Sequence, residues 1–343
     1  MHVGYGCRDA GACCSSGWPI PLEASRVSAI RGLKGDDGWL MQASGAPAEF
    51  AGVLATNDQR CIFHGDARCD IHQALGPDAL PSACQHFPRE CLIDRRGVFV
   101  TLSHYCPTAA EMLFAHRGPV AVVEGPSVAG GRPEGLDARD ALPPSLTERV
   151  LMDDDSYAAW EQHAVRILTA SHLGPEAALA GLARQSEQVA QWRPGDGSLT
   201  TVITALPTPE ALAAIDWVAE ARRFEAARAA LAPGHTWPDY PANATAEWDG
   251  WLAASWRGHR DVINRFLAAH AFASWAAYQG HGLRSTVAKL HTTLAVLRAE
   301  LIRGAGHRAS ASPRGALMHA IRQTDLLLIH LTERDALARA WSS

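Results

Sequence analysis

Beyond residue 106 the sequence has no cysteine. Its eight thiols, Cys7, Cys13, Cys14, Cys61, Cys69, Cys84, Cys91 and Cys106, are confined to the first third of a 343-residue chain. Other absences are as informative. No run of about 18 apolar residues occurs, so no segment is suited to cross a bilayer as a helix, and no membrane partner is expected. The stretch from Met1 to Cys7 lacks the basic start and apolar middle of a secretory signal. The expected location is therefore cytoplasmic, where thiols stay reduced. Lysine is nearly missing: Lys34 and Lys289 stand against 29 arginines, a bias that reads as codon usage. No Lys/Arg-rich run exists and the net charge is −5, which argues against a nucleic-acid partner. No Gly-x-Gly-x-Gly loop follows a strand-like segment, so a Rossmann-type nucleotide site is not readable.

What is present fits a globular protein, with 47% apolar and 20% charged residues. The length exceeds one ordinary core, so two domains are expected. The cysteines are spaced C-x5-C-C, then 46 residues, then C-x7-C-x14-C-x6-C-x14-C. An even count admits disulfides, but a reducing compartment and a chain long enough to need no staples speak against them. Buried structural cysteines would be scattered along the chain rather than clustered. A metal site explains the clustering best, because thiolates are the ligands of zinc and of iron–sulfur clusters. The paired C-x2-C hooks of zinc ribbons and the C-x3-C-x2-C loop of radical enzymes are both absent. Long, irregular gaps mean ligands delivered by several loops, which can supply the converging thiolates of a [4Fe–4S] cluster.

Local chemistry supports some positions. Neighbouring side chains on an extended chain point to opposite faces, so Cys13 and Cys14 share a site only from a turn, which the small residues Gly11 to Gly17 permit. Asp70 to Leu75 reads as a short helix ended by Gly76-Pro77, and Pro77 to Cys84 as another helical turn. His72 could share a face with Cys69, as a ligand or as a donor behind it. Phe87-Pro88-Arg89 breaks the local structure. Arg89, always charged, could serve a cluster or hold an anionic cofactor group. Gly97 to Ser103 is the strongest strand, and it delivers Cys106 to the start of a helix over Thr108 to Ala115. A thiolate placed there gains from the helix dipole, which makes Cys106 the clearest candidate ligand.

Three ordered stretches resemble the flagellin lysine-N-methylases of the FliB type and the wider YkgJ-type cysteine-cluster proteins, described as zinc- or iron-chelating. They are Tyr5-Gly6-Cys7 with Cys13-Cys14-Ser15-Ser16-Gly17-Trp18-Pro19-Ile20; Cys61 to Gly76 with Leu80 to Arg89; and Leu102-Ser103-His104-Tyr105-Cys106-Pro107-Thr108-Ala109-Ala110-Glu111. The family's opening carries a further cysteine before the vicinal pair, where this chain has only Cys7. Cys91 has no counterpart and is set aside. The resemblance implies a metal set of Cys7, Cys13, Cys14, Cys61, Cys69, Cys84 and Cys106, an iron–sulfur cluster (4Fe–4S, with a zinc or iron ion as the alternative), and S-adenosylmethionine as methyl donor. It also implies a protein partner, flagellin or similar.

Residues 126–144, with Gly-Gly-Arg-Pro and Leu-Pro-Pro-Ser, read as a linker. The expected architecture is mainly α: a cysteine-rich metal or cluster domain over 1–125 with a few short strands and helices, then an α-helical bundle over 145–343. Helices are expected over Asp155 to Leu173, Glu176 to Trp192, Pro209 to Leu231 and Ala316 to Trp341. Leu283, Val287, Leu290, Leu294, Leu297 and Leu301 form an apolar stripe. Nine of eleven tryptophans fall in this half, as core packing or as a groove for a ring or peptide. Trp160, Arg166-Ile167-Leu168 and the Asp325 to His330 segment faintly resemble the C-terminal half of the same methylases. Two functions follow as expectations. One is an iron–sulfur-dependent protein lysine N-methylase, whose neutral amine needs a base such as His104 or His72. The other is a non-catalytic metal-chelating or redox-sensing protein.

Overall fold

The structure is a computed structural model; it describes all residues except 9, 36, 43–46, 59, 66–67, 119, 126–132, 211–213, 249, 306–311 and 343. The described residues are mainly α-helical, with fourteen α-helices and a few small sheets. Residues 126–132 of the expected linker lie outside the described residues. Further along it, Gly135–Asp137 forms a strand.

The first 80 residues wrap a small core of their own, in which Leu22, Ile30, Trp39, Phe63 and Ile71 are buried. A three-stranded antiparallel sheet covers it, with Phe50–Leu54 between Pro21–Glu23 and Leu40–Met41. Arg89–Asp94 then pairs with Gly97–Leu102 as an antiparallel hairpin. The run Val98-Phe99-Val100-Thr101 supplies the β-branched and aromatic residues that favour it. Gly135–Asp137 adds to the hairpin in parallel, beside Cys91. Only glycine fits at its start, since a Cβ on Gly135 would lie 2.1 Å from the Cys91 carbonyl oxygen.

Both ends of this hairpin are fastened to the helical half. At the turn, Arg96 pairs with Asp94 at 2.7 Å and with Glu161 at 2.6 Å, and the Tyr278 hydroxyl donates to Asp94. After Leu102 the chain enters the helix Pro107–Ala115. One face of that helix, with Ala109, packs beside Cys106 and Leu102. The other, with Ala110, Leu113 and Phe114, belongs to the main helical core.

Leu283–Ala305 is the central helix. The expected stripe is buried, and so are Ala295, Val296, Ala299 and Ile302 on its other faces, the pattern of a helix surrounded by others. Pro175–Val189, Trp217–Ala229, Pro313–Asp325 and Arg334–Ser342 pack around it. Two expected helices are corrected. The helix sought over Pro209 to Leu231 runs from Trp217 to Ala229, because Asp216 caps it by accepting from the Ala219 N–H at 3.0 Å; residues 211–213 lie outside the described residues. The single helix over Ala316 to Trp341 is broken. Pro313–Asp325 passes into a π-helical turn, Leu326–Leu331, and Thr332 is extended before Arg334–Ser342 begins. Tertiary pairing decides the break: the Ala232 N–H donates to the Leu331 carbonyl and the Glu333 N–H to the Ala230 carbonyl.

Three tryptophans gather around one buried cation. The Arg298 guanidinium, 0% exposed, lies 4.6 Å from the Trp256 ring centroid, 5.0 Å from Trp248 and 5.9 Å from Trp217. It pairs with Glu176 and Glu220. Packing, not a groove, accounts for these rings. Arg298→Ala leaves both carboxylates without their buried cation and is expected to cost about 3–5 kcal/mol, read as a lower urea midpoint.

Candidate functional site

Six of the seven singled-out cysteines, Cys7, Cys13, Cys14, Cys69, Cys84 and Cys106, line one cavity of about 540 Å³ of non-atom space, part of it open to solvent. Each comes from a different local device. Gly11, in the left-handed region at φ 68, admits the chain to a 3-10 turn, Ala12–Cys14. That turn sets the Cys13 and Cys14 sulfurs 3.9 Å apart, so the vicinal pair lines one cavity. Cys69 ends a two-residue strand and caps the helix Asp70–Leu75. Cys84 sits within Ser82–His86, whose first N–H donates to Glu23 at 2.9 Å. Cys106 caps Pro107–Ala115, as expected of a residue before a proline at the first turn. Cys7 lies exposed at the rim.

The thiols share protons in a way that invites a cation. Cys14 hydrogen-bonds to Cys13 and Cys69, and those bonds, with burial, push its own thiol far up. The bond from Cys14 pulls Cys13 down, and pulls Cys69 down to about 6, helped by the Ile71 and His72 backbone N–H groups. Burial raises Cys84 well above its ordinary value. Several thiolates cannot ionise side by side without a positive charge among them. No disulfide joins the described cysteines.

The remaining candidates fall in three places. His72 lines the cavity. Cys61 is buried in the small core, near enough to Cys69 and Cys13 to feel their charge, but off the cavity wall; burial pushes it up to about 11. Cys91, set aside, is buried in the hairpin opposite Val100. Arg89 lies over the ring of Tyr5 at 5.3 Å and donates to the Gln85 carbonyl. It does not line the cavity, but Tyr5 does, with its hydroxyl 3.7 Å from the Cys106 sulfur. Trp18, Phe87, Tyr105 and His330 pack into an apolar wall beside the thiols, with Trp18 4.7 Å from His330.

His104 is turned away from the thiols and fully buried. Its backbone N–H and Nδ1–H both donate to Asp325 Oδ2, while His270 Nε2–H donates to Oδ1 at 2.7 Å. Burial alone would raise Asp325, but the charge of His270 and these hydrogen bonds hold it well below the ordinary carboxylate range. His2 lies 3.2 Å from the far nitrogen of His104, and Ser103 bonds to His330 at 2.7 Å. Among the described residues, His104, His270 and Asp325 are the one group of three such side chains whose ligand atoms all lie within 4.8 Å of one another. The thiols are spread more widely.

A second cavity, of about 610 Å³ on the same measure, lies on the other side of His270. Glu90, Lys289 and Arg334 face it, with Trp275 and Trp341 as walls. Sequence reasoning missed this site. The signal was a lysine in the midst of an apolar helix, one of only two in the chain. No family model, curated protein or solved structure matches the chain.

Burial raises Glu90 to about 7 against the pull of Arg334 and Lys289, with Asp325 adding to the rise. A raised carboxyl carries no penalty below its unfolded value near 4.5 and the full penalty above about 7. Stability of the wild-type protein should therefore fall by about 3 kcal/mol relative to Glu90→Gln as pH rises across that window, measured by urea denaturation at each pH.

Proposed function

We propose that the first cavity is a metal–thiolate centre in which Cys7, Cys13, Cys14, Cys69, Cys84 and Cys106 supply the ligands of an iron–sulfur cluster. The convergence of six thiols from five chain segments on one cavity carries the reading. A tetrahedral zinc ion with bonds of about 2.3 Å needs thiolates about 3.8 Å apart. Among the described residues no three thiols lie that close to one another, whereas a cluster spreads its thiolates over several irons. The donor set fits such a group: it is all sulfur, mostly sheltered from water, and backed by an aromatic wall. When bound, the cluster would offer iron as a Lewis acid or as an electron carrier. The chain's own part is to hold the thiolates, to exclude water with Trp18 and Phe87, and to place the Tyr5 hydroxyl on Cys106.

The narrower proposal rests on the resemblance: a protein lysine N-methylase that takes its methyl group from S-adenosylmethionine and acts on flagellin or a similar protein. In that reading His72, on the cavity wall, is the base that can meet a substrate amine, and His104 is a positioning residue behind Cys106. A second reading, a non-catalytic zinc- or iron-chelating or redox-sensing protein, is favoured by one observation: the 3.9 Å between Cys13 and Cys14 matches the edge of a zinc tetrahedron.

Protein purified without oxygen is expected to be brown and to contain iron and acid-labile sulfide. Cys106→Ser should lose most of the iron, and Cys91→Ser should keep it. A colourless protein holding only zinc would sink the cluster and leave the second reading. Flagellin co-expressed with the wild-type protein, but not with Cys106→Ser, should show added methyl groups on lysines by mass spectrometry. Unmodified flagellin in both would remove the methylase assignment while leaving the metal centre untouched.

A further inference from the structure

The second cavity has the charges of a binding site and not of a structural network. Six elements line it: the hairpin with Glu90, the end of Arg260–Ala271 with His270, the 3-10 turn that begins at Trp275, the central helix with Lys289, the π-helical turn with Leu328, and Arg334–Ser342 with Trp341. Among the described residues, the Glu90 carboxylate makes no hydrogen bond and has no cation within 4.0 Å. Nor has the Arg334 guanidinium a carboxylate within that distance among the described residues. Lys289 is buried and spends two of its three N–H groups on the His270 carbonyl and the Ser274 hydroxyl, each at 3.0 Å. One negative and two positive groups thus face the same space without pairing across it. Arg334 is exposed and solvated, whereas Glu90 is half-buried, and a charge left there without a hydrogen-bond partner costs stability.

The sign pattern restricts the occupant. A simple anion would satisfy Lys289 and Arg334 but set a second negative charge beside Glu90. A simple amine would satisfy Glu90 but face two cations. A ligand bearing both signs satisfies all three groups. The Trp275 and Trp341 rings, 5.3 Å apart, leave an apolar surface for the rest of the molecule.

We propose that this cavity binds a small zwitterion with the ammonium and carboxylate of an α-amino acid: the ammonium on Glu90, the carboxylate on Arg334 and Lys289, and an apolar remainder on Trp275 and Trp341. The site does not depend on the thiol centre or on the activity proposed for it. Such a head group occurs on free amino acids and at one end of larger molecules such as S-adenosylmethionine.

The test is calorimetric titration of the full-length protein with the common L-amino acids and with S-adenosylmethionine, followed by the decarboxylated amine and the N-acetyl form of whichever binds. One zwitterion is expected to bind saturably, with each truncated form weaker by about tenfold or more, because each strands a charged group of the site. Saturation by free amino acids assigns the site to them; saturation by S-adenosylmethionine alone assigns it to that molecule's amino-acid end. Glu90→Gln and Arg334→Met should each weaken binding by a similar factor, while Glu90→Gln raises the melting temperature of the ligand-free protein. The proposal is overturned if no zwitterion of the panel binds, if a truncated form binds as tightly, or if Glu90→Gln lowers the melting temperature, which would mark a structural carboxylate.

Discussion

Asp325 is a carboxylate with no exposure to water, and it holds the two halves of the protein in register. Its oxygens accept from His104, which leads into Cys106, and from His270 on a helix of the core. A buried ionised group is costly unless its lone pairs are filled. Here the filling comes from two remote segments at once, so the cost of exposing Asp325 to apolar surroundings enforces one arrangement of those segments. The second fastening, Arg96 between Asp94 and Glu161, works in the same way at the far end of the hairpin. The hairpin is thus fastened at both ends. The thiol cavity lies beyond one of its ends, and the charged cavity flanks it where Glu90 and Thr101 face each other.

This arrangement separates two kinds of chemistry by a short distance. Cys106 and His104 are neighbours in sequence, yet the first faces the sulfur-lined cavity and the second faces Asp325. His270, bonded to that same Asp325, lines the charged cavity. A polar chain of His104, Asp325 and His270 therefore runs from behind one site to the wall of the other. Such buried networks hold a unique geometry only when every member is satisfied, and these bonds satisfy Asp325 on both oxygens.

Local signals made part of this legible. The helix Asp70–Leu75 and its Gly76 stop, the strand sought over Gly97 to Ser103, and Cys106 ahead of Pro107 all follow from short-range rules, and the strand differs only in ending one residue early, at Leu102. The stripe on the central helix was equally plain, because periodicity reports burial directly. What escaped was set by distant partners. The break at Thr332 depends on Ala230 and Ala232, and no residue in that stretch is a helix breaker. His270 and Glu90 look ordinary in sequence, since a carboxylate in a strand or a histidine late in a helix is usually a solvated side chain. Only the fold shows that they face the same cavity. Lys289 was noticed as rare and explained by codon usage, when its apolar neighbours already marked it as a buried cation.

The bond between His104 and Asp325 spans 221 positions of the chain. Its consequence concerns the order of events at the ribosome. All six cavity thiols have emerged long before Asp325 is made, but the strand end that seats Cys106 gains its anchor only after nearly the whole chain has been synthesised. For that interval the thiols are a loose set of nucleophiles, open to oxidation and to any metal at hand. If the cavity holds the centre proposed above, its loading belongs after translation, in a chain already closed on its own C-terminal helices.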